Sequence, residues 1–253
     1  MRPAYDAIYF DLKDSIDRGE YQFRDYLPSE SALVKKYDCA HNTVRKALAI
    51  LAREGYVQPI HGKGVRIIYR PAPARTDGSR TYQLNDIEPF CESVTSQGFA
   101  AQTKVLLMEE TEADVDASKI MGFEVGEPLV HFERVRLVDE KPLEREINYF
   151  RRDIVEGITK EDAENSIYHY IEKVRGEKLV TCKRVVTVEP ANERDRELLE
   201  LDGADYVAVI ACETYDGNGL LCEATIVRHV PHMFSLAQTA IRTRVSQRCY
   251  GGH

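Results

Sequence analysis

Apolar residues recur every three or four positions near the start of the chain, which is the spacing of one buried helix face. The stripe consists of Tyr5, Ile8, Tyr9, Leu12 and Ile16. It predicts a helix over residues 4–18 that ends at Gly19, because glycine readily adopts the left-handed conformation that closes a helix. Two shorter helices are predicted next, one capped by Ser29 and one from about His41 to Glu54.

Two extended runs, residues 56–60 and 65–69, flank the glycine-rich tip at residues 62–64. This pattern predicts a hairpin. Three helices followed by a basic hairpin are typical of a winged helix-turn-helix, whose third helix enters the major groove of DNA. The polar side of that helix carries His41, Asn42, Arg45 and Lys46. These side chains could reach base edges or form an ordinary solvent-facing side of a helix.

From about residue 82, helix-like and strand-like spacings alternate, which predicts an α+β domain around an antiparallel sheet. Helices are expected over residues 87–97, 113–121, 166–174 and 194–199. Strands are expected over residues 103–108, 129–138, 143–150, 179–188, 206–215 and 221–230. Residues 70–81 are rich in Pro, Gly and Ser, so we expect them to link a domain of residues 1–69 to a domain of residues 82–253.

The net charge of −8 is unevenly distributed. Residues 1–75 hold thirteen Lys and Arg against nine Asp and Glu, a net charge of +4, which leaves −12 for the remainder. A basic segment of this kind attracts a phosphate backbone, so the acidic total does not exclude DNA as a partner. We expect only the first domain to contact the duplex, because the acidic remainder would be repelled.

The sequence lacks the common catalytic signatures, including the G-x-S-x-G, H-E-x-x-H, P-loop and dinucleotide-binding patterns. We therefore expect no enzymatic activity and no cofactor. His229 and His232 form a pair without a third ligand, which is too little for a metal site. The six cysteines are far apart in sequence, and we expect reduced thiols. With no long apolar run and no secretory signal, the expectation is a cytoplasmic protein without membrane contact.

Arg134 and Arg136 lie two positions apart on a predicted strand, so both side chains project from one face. Two adjacent guanidinium groups require an anion between them. That anion is either a protein carboxylate or a ligand phosphate, which arginine binds through paired hydrogen bonds. Asn165 and Ser166 precede a predicted helix, where the serine either caps the helix or contributes to a phosphate site. The spacing leaves these alternatives open.

A run of residues between Leu27 and Gly64 matches a known pattern. It comprises Leu27-Pro28-Ser29-Glu30, Leu33, Tyr37, Thr43 to Leu48, Leu51, Glu54-Gly55 and Gly62-Lys63-Gly64. In these residues the chain resembles GntR-type bacterial transcription regulators. Ala40-His41 stands where that family usually has Ser-Arg, so we expect a different operator preference. The resemblance implies DNA contacts from Ser29, Glu30, His41, Asn42, Thr43, Arg45, Lys46, His61, Gly62, Lys63 and Gly64.

A second set of residues carries a further resemblance. It comprises Pro89-Phe90-Cys91-Glu92, Gly98, Thr103, Val105, Glu133-Arg134, Arg136, Pro142, Glu146, Tyr149, Asn165 to Tyr168 and Glu223. These residues resemble the UTRA effector domain of the HutC-like branch, which is similar to the chorismate lyase fold but senses small molecules. The resemblance implies a phosphate site of Arg134, Arg136, Ser166 and Tyr168. It implies a sugar site of Phe90, Cys91, Glu146, Glu223 and His229.

Within this branch, residues 164–172, 188–190 and 195–201 are similar to repressors of trehalose operons. The resemblance implies a homodimeric repressor of a sugar-utilisation operon. It would bind double-stranded operator DNA and be released by a sugar phosphate, with trehalose 6-phosphate as the favoured effector. An amino-sugar phosphate or another acidic metabolite is the alternative effector. The alternative of another class is a chorismate-lyase-like enzyme tethered to DNA.

Overall fold

The structure is a computed structural model that describes residues 4–70, 80–83, 87 and 100–240. Two compact units are present, one within Met1–Ala74 and Ala237–His253 and the other within Arg75–Leu236.

The first unit contains three helices around one apolar core. They are α1 (Ala4–Asp17), α2 (Glu30–Tyr37) and α3 (His41–Arg53). Leu12, Leu33 and Leu51 are fully enclosed, each contributing roughly 2 kcal/mol through burial. As predicted, Ser29 caps α2 by accepting a hydrogen bond from the amide of Ala32. The amphipathic spacing therefore places one face of each helix inside and leaves the polar side of α3 outside.

A hairpin of β1 (Val57–Ile60) and β2 (Gly64–Ile67) follows the helices. Gly62 and Gly64 at its tip have φ angles of 71° and 103°, a region that favours glycine. Val57 and Ile67 point back into the helical core, whereas residues 61–64 are exposed. The predicted winged helix-turn-helix is confirmed.

The second unit is built around one antiparallel sheet. Its first elements are β3 (Arg80–Gln83), β4 (Ala101–Glu112), α4 (Val115–Met121), β5 (Pro128–Val138), β6 (Lys141–Arg151), α5 (Lys160–Asn165) and α6 (Ile167–His169). A π-helix (Tyr170–Val174), β7 (Leu179–Pro190), α7 (Glu193–Leu198), β8 (Tyr206–Asp216), β9 (Leu221–His229), a 3₁₀ helix (Pro231–Met233) and β10 (Phe234–Ala237) complete it. Six strands are ordered β4-β5-β6-β9-β8-β7, and β3 pairs with β10. The predicted α+β class is confirmed.

The two faces of this sheet carry different residues, because side chains alternate along each strand. On one side, which we call the α5 face, Ala163 and Ile167 pack with Phe132 and Phe150. On the other side, which we call the α7 face, an apolar cluster forms from Leu199, Leu201, Val207, Val209 and Val230. Directly opposite residues share a face, so the register assigns Arg134 and Glu146 together to the α5 face.

Most predicted elements of the second unit are confirmed to within a few residues. The helix α5 is not predicted, although Thr159 and Asp162 form a capping box at its start. The strands β3 and β10 are also not predicted, and β3 begins inside the segment expected to be a linker. The helix expected over residues 87–97 lies outside the described residues except for residue 87.

Two further properties follow from the part of the chain that the structure describes. None of its helices is both long enough and apolar enough to cross a membrane. No group of three or more His, Cys, Asp or Glu residues in that part is arranged to hold a metal ion.

Candidate functional site

The side of α3 that is predicted to contact DNA faces outward. His41, Asn42, Arg45 and Lys46 are exposed, and Thr43 is half-buried. The amino-terminal end of α3 begins after Ala40, which supplies no side-chain cap. The backbone amides of that first turn are of the kind that donate to a phosphate.

Contacts within the first unit position several of these side chains. Arg45 donates from Nε to the Glu30 carboxylate over 2.8 Å. Lys46 Nζ lies 3.8 Å from the centre of the Tyr5 ring, a cation–π contact that holds it beside α1. At the hairpin tip, His61, Gly62, Lys63 and Gly64 are all exposed. The structure thus presents one basic helix side and one basic tip in the same unit.

Arg134 and Arg136 project from β5 onto the α5 face, as their spacing predicts. Both side chains are buried, with 3% and 7% of their surface exposed. The anion between them is Glu146 of β6. Its Oε2 lies 2.6 Å from Arg134 Nη2 and 3.0 Å from Arg136 Nη2. A protein carboxylate therefore occupies the place for which the sequence left a carboxylate or a ligand phosphate as alternatives.

Neutral hydrogen-bond partners fix the orientation of both guanidinium groups. Arg134 donates from Nε to the Asn148 side chain over 3.0 Å and from Nη1 to the Ala163 carbonyl over 3.2 Å. Arg136 donates from Nη1 to Thr103 over 2.8 Å. Among the described residues, the carboxylate that contacts both guanidinium groups is that of Glu146.

A second polar group lies on the same face around Glu223 of β9. Tyr168 donates from its hydroxyl to Glu223 over 2.5 Å, and Thr225 donates to the other carboxylate oxygen over 2.5 Å. Thr225 in turn accepts from Asn148 over 2.8 Å. Asn148 therefore connects the arginine pair to the Glu223 group through hydrogen bonds.

Burial raises the pKa of the acidic groups at this site and lowers the pKa of Arg134. It raises the pKa of Glu223 above its ordinary value, an effect that hydrogen bonds from Thr225 and Tyr168 partly offset. Burial, reinforced by the Glu223 carboxylate, also raises the pKa of Tyr168, so its hydroxyl remains a donor. Burial and the neighbouring Arg136 lower the pKa of Arg134 to about 10, which still leaves a cation at neutral pH.

The remaining predicted effector residues are less closely grouped. The Ser166 hydroxyl accepts a hydrogen bond from the amide of His169 and caps α6, one of the two roles left open for it. His229 is buried, with Nδ1 3.0 Å from the Glu144 carboxylate. Phe90 and Cys91 lie outside the described residues.

The predicted site lacks several polar residues of the α5 face, among them Thr103, Asn148, Thr214 and Thr225. Alternation along the strands could have found two of them. Asn148 lies two positions after Glu146, and Thr225 lies two positions after Glu223. Thr214, whose Oγ1 is 3.4 Å from the Tyr168 hydroxyl, is found only through the pairing of β8 with β9.

The α7 face carries a second ionic network, which is buried at its centre and exposed at its edge. It consists of Glu133, Glu189 and Asp195 with Arg145, Arg194 and Arg228. Asp195 is fully enclosed and lies 2.9 Å from Arg228 Nε and 3.2 Å from Arg145 Nη1. Hydrogen bonds from Arg194 and Arg145 lower the pKa of Glu133. The exposed Glu197 also pairs with Arg194 over 2.7 Å, so four carboxylates contact three guanidinium groups and every cation of the network has a carboxylate partner.

Comparison with known proteins finds a matching family for each of the two units. The family described as bacterial regulatory proteins, gntR family, matches residues 4–67, and the UTRA domain matches residues 96–235. The HTH-type transcriptional regulator TreR of Bacillus subtilis is 30% identical over 236 residues, which cover 93% of this chain and 96% of TreR. The mannosyl-D-glycerate transport/metabolism system repressor MngR of Escherichia coli is 26% identical over 200 residues, 78% of this chain and 79% of MngR.

Solved structures agree with this assignment. The crystal structure of the regulator YydK from B. subtilis has a TM-score of 0.77 over 95% of this chain and all of its own, and its 20% identity supports the fold alone. The effector-binding domain of the B. subtilis trehalose repressor TreR, 28% identical, has a TM-score of 0.51 over 56% of this chain and 99% of its own. This chain belongs to the GntR family of bacterial transcription regulators and carries the UTRA domain of its HutC-like branch.

Proposed function

We propose that this protein is a homodimeric repressor of a sugar-utilisation operon and that a sugar phosphate, trehalose 6-phosphate, releases it from its operator. The observation that carries the proposal is the buried pair of Arg134 and Arg136 with one shared carboxylate. We propose that Arg134, Arg136, Ser166 and Tyr168 take the phosphate. Glu146, Glu223 and His229, with Phe90 and Cys91, would take the sugar.

Charge supports a phosphate at the arginine pair. The carboxylate of Glu146 contacts both guanidinium groups, so each arginine has only a share in this counter-ion. A phosphate monoester carries a charge of about −1.5 to −2 at neutral pH and accepts paired hydrogen bonds from arginine. It would therefore replace Glu146 as the counter-ion, and the displaced carboxylate would be free to accept from sugar hydroxyl groups.

The hydrogen bonds around Glu223 support a polyhydroxylated ligand. Tyr168, Thr214 and Thr225 surround this carboxyl group with hydroxyl donors and acceptors that can be exchanged for those of a sugar. A buried network of this type rejects ligands that cannot replace its hydrogen bonds. The site is accordingly suited to a ligand that has an acidic group at one end and hydroxyl groups at the other.

The favoured sugar follows from the similarity to TreR. An amino-sugar phosphate or another acidic metabolite is the second candidate, because the carboxylate of a compound such as mannosyl-D-glycerate can also pair with arginine. A thermal-shift comparison of trehalose 6-phosphate, glucosamine 6-phosphate and mannosyl-D-glycerate separates these effectors. The largest stabilisation is expected from trehalose 6-phosphate.

Release of DNA requires that the effector bind one arrangement of the dimer better than another, since equal affinity for both would shift nothing. Two-fold symmetry predicts a palindromic operator whose half-sites match the two copies of α3. The predicted DNA contacts come from α3 and the hairpin tip, with Ser29 and Glu30 beside them. A footprint that requires residues beyond 80 would contradict this part of the proposal.

A gel shift with operator DNA tests the function. Wild-type protein should release the operator as trehalose 6-phosphate is added. Arg134→Ala should retain operator binding and require at least a hundredfold more effector, because the buried charge-assisted contacts to phosphate are lost. Arg196→Ala, which removes an exposed arginine of the same unit, is the matched control and should respond like wild type.

Unchanged release by Arg134→Ala would refute the phosphate assignment. The chorismate-lyase-like alternative is tested separately by incubating full-length protein with chorismate. Since the relatives above are named as transcriptional regulators, no product is expected. Product formation would reverse the proposal that the chain is not an enzyme.

A further inference from the structure

Cys182 and Cys212 are distant in sequence but adjacent on the sheet. The register pairs Cys182 with Thr214 and Arg184 with Cys212, so the two cysteines occupy diagonal positions on β7 and β8. Both belong to the α5 face, and both are half-buried. Each thiol shifts the pKa of the other through a hydrogen bond, which is consistent with this diagonal placement. The structure therefore forms a thiol pair where the sequence spacing suggested isolated cysteines.

The surroundings make the two sulfur atoms chemically unequal. The hydrogen bond from Cys212, together with the nearby Arg184, lowers the pKa of Cys182 to about 7. The same hydrogen bond and burial raise the pKa of Cys212. At neutral pH the pair contains a substantial fraction of thiolate next to a protonated thiol. This is the arrangement of an oxidisable cysteine with a resolving partner.

We propose that Cys182 and Cys212 form a dithiol site that hydrogen peroxide converts to a cross-strand disulfide. The sulfur of Cys182 attacks one peroxide oxygen, the O–O bond breaks, and the departing hydroxide takes a proton to become water. Cys182 is then a sulfenic acid. The sulfur of Cys212 attacks it, the S–S bond forms and the S–O bond breaks, with water leaving. Two thiols and one peroxide thus give one disulfide and two water molecules.

The strand geometry permits this bond after a small adjustment. Diagonal neighbours on antiparallel strands have Cα atoms about 7–8 Å apart, and a disulfide requires less than about 7 Å. Cys182 lies on β7, an edge strand that pairs only with β8 among the described residues. The register also shifts between Leu179 and Thr181, close to Cys182. An edge strand next to an irregularity can move toward its neighbour more easily than a central strand.

Oxidation would also affect the proposed effector site, and this part of the inference rests on the proposed function. Thr214 lies directly opposite Cys182, and its Oγ1 is 3.4 Å from the hydroxyl of Tyr168. Tyr168 donates to Glu223. Thr214 hydrogen-bonds the sulfur of Cys182 in the reduced protein, and a disulfide takes that sulfur away. The contacts of Thr214 then change, so the oxidised protein should bind trehalose 6-phosphate at least tenfold more weakly.

The dithiol site is tested on full-length protein without effector. Wild type, Cys182→Ser, Cys212→Ser and the control Cys39→Ser are exposed to hydrogen peroxide, alkylated and digested with trypsin and chymotrypsin. Cleavage after Tyr215 separates Cys212 from the enclosed Cys222. Mass spectrometry should find the Cys182–Cys212 peptide in wild type and Cys39→Ser, and it should disappear on reduction. Its absence from oxidised wild type would overturn the proposal.

Calorimetry with trehalose 6-phosphate tests the link to the effector site. Oxidised wild type should lose at least tenfold in affinity, whereas peroxide-treated Cys182→Ser should bind like its reduced form. Equal affinity of reduced and oxidised wild type would refute the link. Failure of reduced wild type to bind any sugar phosphate would instead refute the proposed function. The disulfide measurement uses no effector and still decides whether the dithiol site exists.

Discussion

The two faces of one sheet carry ionic networks built from the same residue types but balanced differently. On the α7 face, four carboxylates meet three guanidinium groups, and Asp195 is fully enclosed. On the α5 face, Arg134 and Arg136 share the carboxylate of Glu146. The networks are neighbours in sequence, because Glu133 precedes Arg134 and Arg145 precedes Glu146.

This difference separates a structural role from a binding role. A network in which every cation has its own carboxylate partner joins α7 to the sheet and offers little to an incoming anion. On the α5 face, two guanidinium groups contact the same carboxylate of Glu146, and neutral groups supply further hydrogen bonds to both. A buried site in which two cations contact one carboxylate is suited to an incoming anion.

The largest expected effect on stability is on the α7 face. Arg228→Ala leaves the enclosed Asp195 without its closest cation, so we expect the free energy of unfolding to fall by about 3–5 kcal/mol. Urea denaturation measures this change. Arg196→Ala, which removes only an exposed ion pair with Asp205, should cost less than about 1 kcal/mol. If both variants lost the same free energy of unfolding, the structural role assigned to the α7 face would be contradicted.

A smaller effect is expected from removing the internal counter-ion of the α5 face. Glu146→Gln keeps the shape and one acceptor oxygen but no longer competes with phosphate for the two arginines. Calorimetry should show roughly tenfold tighter binding of trehalose 6-phosphate, or about 1.4 kcal/mol. Glu133→Gln makes the same change on the α7 face and should leave the affinity unchanged. Unchanged or weaker binding by Glu146→Gln would show that the carboxylate assists the phosphate rather than competes with it.

The smallest effect concerns pH, where the two faces should differ in sign. The pKa of Glu223 is raised in the folded protein, so its contribution to stability is present at low pH and is lost as pH rises through the folded pKa. The pKa of Glu133 is lowered, so its contribution is complete above the ordinary value and is lost as pH falls through the folded pKa.

Urea denaturation at a series of pH values tests this difference. Wild type should lose stability as pH rises above the ordinary glutamate pKa of 4.5. Glu223→Gln should lack the part of this loss that Glu223 causes. Wild type should also lose stability as pH falls below that value, and Glu133→Gln should lack the part of this loss that Glu133 causes. If both substitutions changed the pH dependence of stability in the same direction, the opposite pKa shifts assigned to Glu223 and Glu133 would be contradicted.

Local patterns in the sequence predict much of this molecule. Helical spacing predicts α1 to α3, the turn at Gly62 to Gly64 predicts the hairpin, and strand alternation places Arg134 and Arg136 on one face. These features depend on residues within a few positions of one another, where periodicity and turn chemistry are informative.

The position of Glu146 between the arginines could not be predicted, because it depends on how β5 pairs with β6. The sequence suggests a turn of four residues from Asp139 to Pro142, whereas Val138 pairs with Lys141. Asp139 and Glu140 both have positive φ angles, although neither is glycine. The register also shifts after Arg136. The pairing of Cys182 with Cys212 likewise requires the strand register.

The central claim is that the arginine pair of the α5 face binds the phosphate of a sugar phosphate. Isothermal titration calorimetry of wild type and Arg136→Ala with trehalose 6-phosphate and with trehalose tests it most directly. Two charge-assisted contacts should make wild type bind the phosphate ester at least about a hundredfold more tightly than trehalose. Arg136→Ala should lose most of that difference. Equal affinity of wild type for the two sugars, or an undiminished difference in Arg136→Ala, would contradict the account.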